Sequence, residues 1–127
     1  MKQEKKVLNM VTTVVVNLQV EGIHNWAAAK EVFPEVCFLS DPHRHIFHIQ
    51  LKKQVTHSDR DVEFILFKRD VLEYLYKQYY FETHRIHDFG SKSCEMIAAE
   101  LLQFFDCTFV SVFEDGENGA EVFVHDM

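Results

Sequence analysis

The amino-acid sequence predicts an α+β domain of four strands and two helices in the order ββααββ, a four-stranded antiparallel sheet with two helices on one face. Three observations predict it. Apolar residues alternate with period two near both ends of the chain, they recur at helical spacing in two central segments, and strand runs and helix run are kept apart rather than interleaved. With 127 residues, 47% of them hydrophobic and only four Gly and two Pro, the chain can bury one good core and is too short for two domains of usual size. Residues 1–127 are therefore read as a single domain.

The first strand is expected from Val7 to Val20, with Val14, Val16, Leu18 and Val20 on one face and Val15, Asn17 and Gln19 on the other. "EGIHNWAAAKEVFPEVCFLSDP" holds no period and reads as a long loop with one helical turn near Trp26 to Glu31; loops of this length in compact domains are often functional. His43 to Val55 alternates again. His43, His45, Phe47, Ile49 and Leu51 point one way, while Arg44, Ile46, His48, Gln50 and Lys52 point the other. After the polar turn "THSDRD" and the short extended "VEF", helical spacing over Leu66–Tyr79 puts Leu66, Phe67, Val71, Leu72, Leu75 and Tyr76 on a buried stripe. A second polar stretch, "ETHRIHDFGSKS", leads to a helix capped by Ser93, with Ile97, Leu101, Leu102 and Phe105 inward. "CTFVSVFED", a turn "GENG" and "AEVFVHD" close the chain as a hairpin.

The charge balance narrows the partners. Thirteen basic against 20 acidic residues, net -7, leave no overall attraction for a phosphate backbone, so nucleic acid is not an expected partner. Cys37, Cys94 and Cys107 are odd in number, far apart and without a C-x-x-C, which predicts reduced thiols, no disulfide and a cytoplasmic setting. The apolar "VLNMVTTVVVNLQV" is interrupted by Asn, Thr and Gln and is too short to cross a bilayer, so no membrane association is expected.

Two histidines at i and i+2 on a strand present both imidazoles to one side, near enough to share a metal ion. His43 and His45 are such a pair, and His24 in the preceding loop is the natural third ligand. Three neutral imidazoles around Zn²⁺ leave a fourth position open, as catalytic zinc requires. The plainer alternative is a set of histidines held by ordinary hydrogen bonds. Cys37, six residues before His43, could place its thiol beside the metal or simply be a small buried apolar residue. Glu114, near the end of "FVSVFE", could accept two parallel N–H bonds from a planar heterocycle or merely open the turn. Glu95, early in the second helix, is accounted for by the helix dipole.

These residues, in this order, resemble the 6-pyruvoyl-tetrahydropterin synthase and 6-carboxytetrahydropterin synthase family of the tunnelling fold, over about Thr12 to Val124. "VEGIHNWAAA" resembles the family's first-strand motif, which makes His24 the first zinc ligand. "CFLSDPHRH" is similar to its cysteine followed by H-G-H, making Cys37 the catalytic thiol and His43 and His45 the remaining ligands. "DVEFILFKRDVLEYL" is similar to the V-x-D-F segment, with Glu63 for Asp. "SKSCEMIAAELL" resembles the P-T-x-E segment and aligns Glu95, and "VSVFED" resembles V-x-V-x-E-T and aligns Glu114 as the pterin anchor.

The resemblance implies a tunnelling fold, a homo-oligomer (trimer or hexamer) with pockets between subunits, zinc as cofactor and dihydroneopterin triphosphate as substrate. Departures from the pattern are specific. Arg44 replaces the glycine of H-G-H, the cysteine-to-histidine interval is longer by two residues, and the proline of P-T-x-E is missing. The L-D-H-x-x-L-N motif that supplies the Asp–His pair is absent as such; its place falls in "YYFETHRIHDF", where His84, His87 and Asp88 are the substitutes, none in the usual order, and His87 with Asp88 takes the role. Two functions are therefore carried forward: a zinc-dependent pterin synthase-like lyase, and a diverged, non-catalytic homologue that binds a pterin or purine nucleotide.

Overall fold

The computed structural model describes residues 8–125. Val7, the first residue of the expected opening strand, the charged "MKQEKK" before it and Asp126 at the end of the expected last strand lie outside the described residues. The elements are β1 (Thr12–His24), α1 (Ala29–Val32), a 3₁₀ segment (Pro34–Ser40), β2 (His43–Val55), α2 (Phe64–Tyr79), β3 (Tyr80–Phe81), β4 (Ile86–Asp88), α3 (Cys94–Phe104), β5 (Phe109–Glu114) and β6 (Asn118–Phe123). They build one six-stranded sheet in the order β3-β4-β1-β2-β5-β6. Among the described residues no helix is long and apolar enough to cross a membrane.

This corrects the expected fold. A tunnelling fold is a four-stranded antiparallel sheet with two helices, whereas this sheet has six strands and is mixed, because β4 runs parallel to β1 through Gly22↔His87 and Ile23↔Asp88. In the stretch read as loop, α1 falls where one helical turn was expected, and the 3₁₀ segment is an addition. The stretch "ETHRIHDFGSKS", read as polar connection, contains β4, which β3 joins on its other side through Tyr80↔His87. Backbone bonds from Phe89 N to Ile23 O (2.9 Å) and Asn25 N to Gly90 O (2.9 Å) prolong the junction with β1. β1 itself continues four residues beyond its expected end, through Glu21–His24.

The core lies on one face of the sheet. Val16, Leu18 and Val20 of β1 stand opposite Leu51, Ile49 and Phe47 of β2, and the row continues into Val110 and Val112 of β5. Phe67, Val71 and Leu75 of α2 and Ile97, Ala98 and Leu101 of α3 close over this row. The stripe expected on α2 is narrower than the sequence suggests: Leu66, Leu72 and Tyr76 are exposed. Glu63 caps α2, its carboxylate accepting from Ile65 N (3.1 Å) and Leu66 N (3.2 Å), and Ser93 caps α3 by accepting from Met96 N (3.2 Å). Asp115 and Gly116 both take positive φ (55° and 71°), the conformation a tight hairpin turn needs, so the last turn falls at Asp115–Glu117 rather than at the expected "GENG".

A polar cluster pins the two long helices together. Tyr74 Oη donates to Glu100 Oε2 at 2.8 Å, and both Tyr79 Oη and the Lys92 ammonium bind Glu100 Oε1. Burial raises Tyr74 to about 12, with Glu100 adding to the shift. Burial alone would raise the Glu100 carboxyl, but its bonds to Lys92, Tyr79 and Tyr74 outweigh that and hold it below the ordinary value of 4.5. A carboxylate depressed in the folded chain stabilises it fully above the unfolded value, and this contribution is lost as pH falls through the folded value. Glu100→Gln is therefore expected to cost about 1–3 kcal/mol at pH 7. Urea unfolding at pH 7 and again near pH 3 should show that gap shrink on acidification; an equal gap at both values would contradict it.

Candidate metal centre

The inward row of β1 and β2 changes character at one end. Beyond the apolar pair Val20↔Phe47 come Gly22↔His45 and then His24↔His43, all on the core face. The i, i+2 spacing of β2 and the antiparallel register thus bring three imidazoles together where the helical cover stops. One ring nitrogen from each of His24, His43 and His45 lies within 4.8 Å of the other two. Gly22 makes room for this arrangement: a Cβ there would stand 2.7 Å from the Phe89 ring, which packs on Phe47 at 5.0 Å between centroids.

Each histidine is oriented through Nδ1. His24 Nδ1 lies 2.9 Å from Lys92 O, His43 Nδ1 2.9 Å from Asp41 O, and His45 Nδ1 2.7 Å from Asp115 Oδ2. Carbonyls and carboxylates only accept, so every Nδ1 carries its proton and donates, which leaves the neutral ring a lone pair on Nε2. His24 Nε2 and His45 Nε2 are buried and have no hydrogen-bond partner. Both nevertheless stand 3.1 Å from a Glu114 oxygen, at ion-pair distance but without the alignment of a hydrogen bond. Burial alone would lower the His24 pKa, but the contact with Glu114 and the Lys92 carbonyl outweigh it and raise it; the same contact with His24 lowers Glu114. Orphaned, buried Nε2 atoms on rings whose Nδ1 is held by an acceptor are what a divalent cation requires, and a nitrogen-rich donor set suits Zn²⁺. The residues present therefore fit the expected metal.

His24 and His43 form part of the wall of a cavity of about 480 Å³, within the range of small-molecule sites. Trp26 and Leu39 border it on one side, and Lys92, Cys94, Glu95 and Glu114 on the other. The backbone bond from Trp26 N to Leu39 O (2.7 Å) folds the β1–β2 connection against this opening.

Of the residues singled out in the sequence, His24, His43, Glu114 and Glu95 line this cavity, and His45 stands beside it as the third member of the histidine cluster. Glu95 sits exposed in the first turn of α3. Cys37 is exposed on the 3₁₀ segment and is not among the lining residues. His87 lies on β4 with its Nδ1 3.3 Å from Glu21 O and its ring stacked on Phe89; burial lowers its pKa. Asp88 is exposed and accepts from Gly90 N at 2.9 Å, and neither residue lines the cavity. His48, which alternation turns to the opposite face, is likewise apart from the cluster.

Two site residues escaped the sequence reading. Asp115 fixes both His45 and, through Oδ1, Ile46 N at 2.9 Å; its position beside Glu114 in an Asp-Gly turn was the available signal. Cys94, buried at the start of α3, is 3.6 Å from Glu114 Oε1, and burial together with Glu114 pushes its thiol up to about 12. No local pattern marks it. The chain matches no protein-family model and no curated protein.

Proposed function

We propose that this chain is a zinc-dependent lyase of the 6-pyruvoyl- or 6-carboxytetrahydropterin synthase type, acting on 7,8-dihydroneopterin triphosphate. The observation that carries the reading is the convergence of three imidazoles, each with its Nδ1 committed to an acceptor, beside a ligand-sized cavity. His24, His43 and His45 hold the ion, which when bound supplies a Lewis acid that polarises a substrate oxygen. Glu114 accepts N–H bonds from the edge of the pterin ring, and Glu95 at the cavity border adds a second acceptor. Trp26 offers an apolar wall for the ring and shields it from water.

In this reading Cys37, with His87 and Asp88, moves protons. These three lie outside the cavity lining of a single chain. They would reach the substrate from a neighbouring copy, in a homo-oligomer, trimer or hexamer, with the pockets between subunits.

A second reading follows from the same placement. A cavity with a metal wall and a ring anchor, but with its proton carriers elsewhere, suits a protein that binds a pterin or purine nucleotide without transforming it. Zinc-loaded protein incubated with dihydroneopterin triphosphate separates the two. The enzyme reading expects a processed pterin, with turnover reduced at least a hundredfold in Cys37→Ala, roughly the weight of a positioned acid–base group. Unreacted nucleotide recovered by mass spectrometry, with no product, supports the binder. Turnover that Cys37→Ala leaves untouched removes the proton role of that thiol.

A further inference from the structure

We propose that Glu114 is a fourth protein ligand of the metal, steadied by the Cys94 thiol, so that four side chains close the substrate-free centre. The inference rests on the metal reading above and adds a residue to it. Glu114 Oε1 lies 3.1 Å from His24 Nε2, and Oε2 lies 3.1 Å from His45 Nε2. In a tetrahedral site with bonds of about 2.0–2.1 Å, two ligand atoms are separated by roughly 3.3 Å. The carboxylate oxygens therefore already stand at ligand-to-ligand spacing from two of the three imidazoles.

Hydrogen bonding makes the same point. His24 and His45 spend their Nδ1 protons on Lys92 O and Asp115, and their buried Nε2 atoms have no hydrogen-bond partner although a Glu114 oxygen stands 3.1 Å from each. A cation placed among the three groups satisfies both nitrogens and the carboxylate at once.

The backbone holds Glu114 in this position. It pairs with Phe47 on β2 and with Asn118 on β6, which aims its side chain along the inward row toward His45. Behind it, the buried Cys94 thiol donates to Oε1 at 3.6 Å, a neutral donor that steers the carboxylate. Glu114 cannot grip a ring edge and the metal with the same oxygens at once. Ligand entry then includes release of Glu114 from the ion, and a tightly bound metal opposes ligand binding.

Co²⁺ substituted for Zn²⁺ reads this directly, through the visible absorption of the ion and its affinity by chelator competition. The expected result is an intense tetrahedral spectrum in the wild type without any added ligand. Glu114→Gln should bind Co²⁺ at least tenfold more weakly and give a weaker spectrum of higher coordination, as water replaces the carboxylate. Cys94→Ala should keep the tetrahedral shape and lose about tenfold in affinity, the usual effect of losing a group that hydrogen-bonds to a metal ligand. If Glu114→Gln does not fold, Glu114→Asp, one methylene too short, serves the same comparison. An unchanged spectrum and affinity in Glu114→Gln or Glu114→Asp would overturn the fourth ligand while leaving the three histidines standing. A wild-type chain that binds neither Co²⁺ nor Zn²⁺ would overturn both.

Discussion

Zinc affinity is expected to fall on the order of a hundredfold or more in His24→Ala, and the thermal stabilisation expected from zinc in the wild type should vanish with it. Zinc held by four side chains in a folded site is worth about 10–16 kcal/mol, so one imidazole carries roughly 3 kcal/mol, about two decades of affinity. His24 is the most buried of the three, only 8% exposed, and its Nε2 has no other partner to lose. Its orientation is also the best supported, since Nδ1 binds the carbonyl of Lys92, whose ammonium is anchored on Glu100 and Tyr79. His48→Ala is the control. That ring projects from the other face of β2, and its loss should leave zinc affinity within twofold. Competition against a chromophoric chelator measures both variants, and equal losses in the two would mean that zinc is held somewhere else.

The contrast between His45 and His48 was legible because β2 alternates without a break from His43 to Val55, so each residue's face follows from counting. His24 was legible as a candidate but not as part of a strand. Its row passes from Val16, Leu18 and Val20 to Gly22 and His24, and a hydrophobic pattern ends where the core ends even though the strand goes on. β3 and β4 could not be read at all. With two and three residues they carry no period of their own: β4 depends on pairing with a strand more than sixty positions away, between Gly22 and His87, and β3 pairs only with β4.

The wider stripe expected on α2 failed for a related reason. Apolar residues cover more of that helix than the sheet touches, and only the i, i+4, i+8 row of Phe67, Val71 and Leu75 is buried. Cys94 reaches Glu114, and Asp115 reaches His45, across sequence separations of 20 and 70, and such partnerships leave no trace in local spacing. Cys37 shows the converse. Nearness in sequence to His43 suggested a shared site, but the 3₁₀ segment turns it outward, where its carbonyl accepts from Ser40 Oγ at 2.8 Å.

Where core and site share a wall, one substitution should report on both. Phe47 is fully buried and its ring stands edge-on to His24 at 5.2 Å, to His45 at 5.8 Å and to Phe89 at 5.0 Å. Phe47→Ala is expected to cost about 3–5 kcal/mol, the lost transfer of a phenyl group plus the cavity it leaves. It should appear as a lower urea midpoint at unchanged slope. The same vacancy removes the surface against which two ligand rings are set, so the folded variant should also bind zinc about tenfold more weakly, as when any supporting group behind a ligand is lost. Leu51→Ala separates the two effects. Leu51 is equally buried on the same row of β2 but six residues from His45 where Phe47 is two, opposite Val16 rather than beside the histidines. Its loss should cost about 2–5 kcal/mol and leave the zinc affinity of the folded chain unchanged. If Phe47→Ala and Leu51→Ala lower stability alike and neither touches zinc binding, the histidines are set by their Nδ1 hydrogen bonds alone, and the aromatic wall beneath them contributes only to the core.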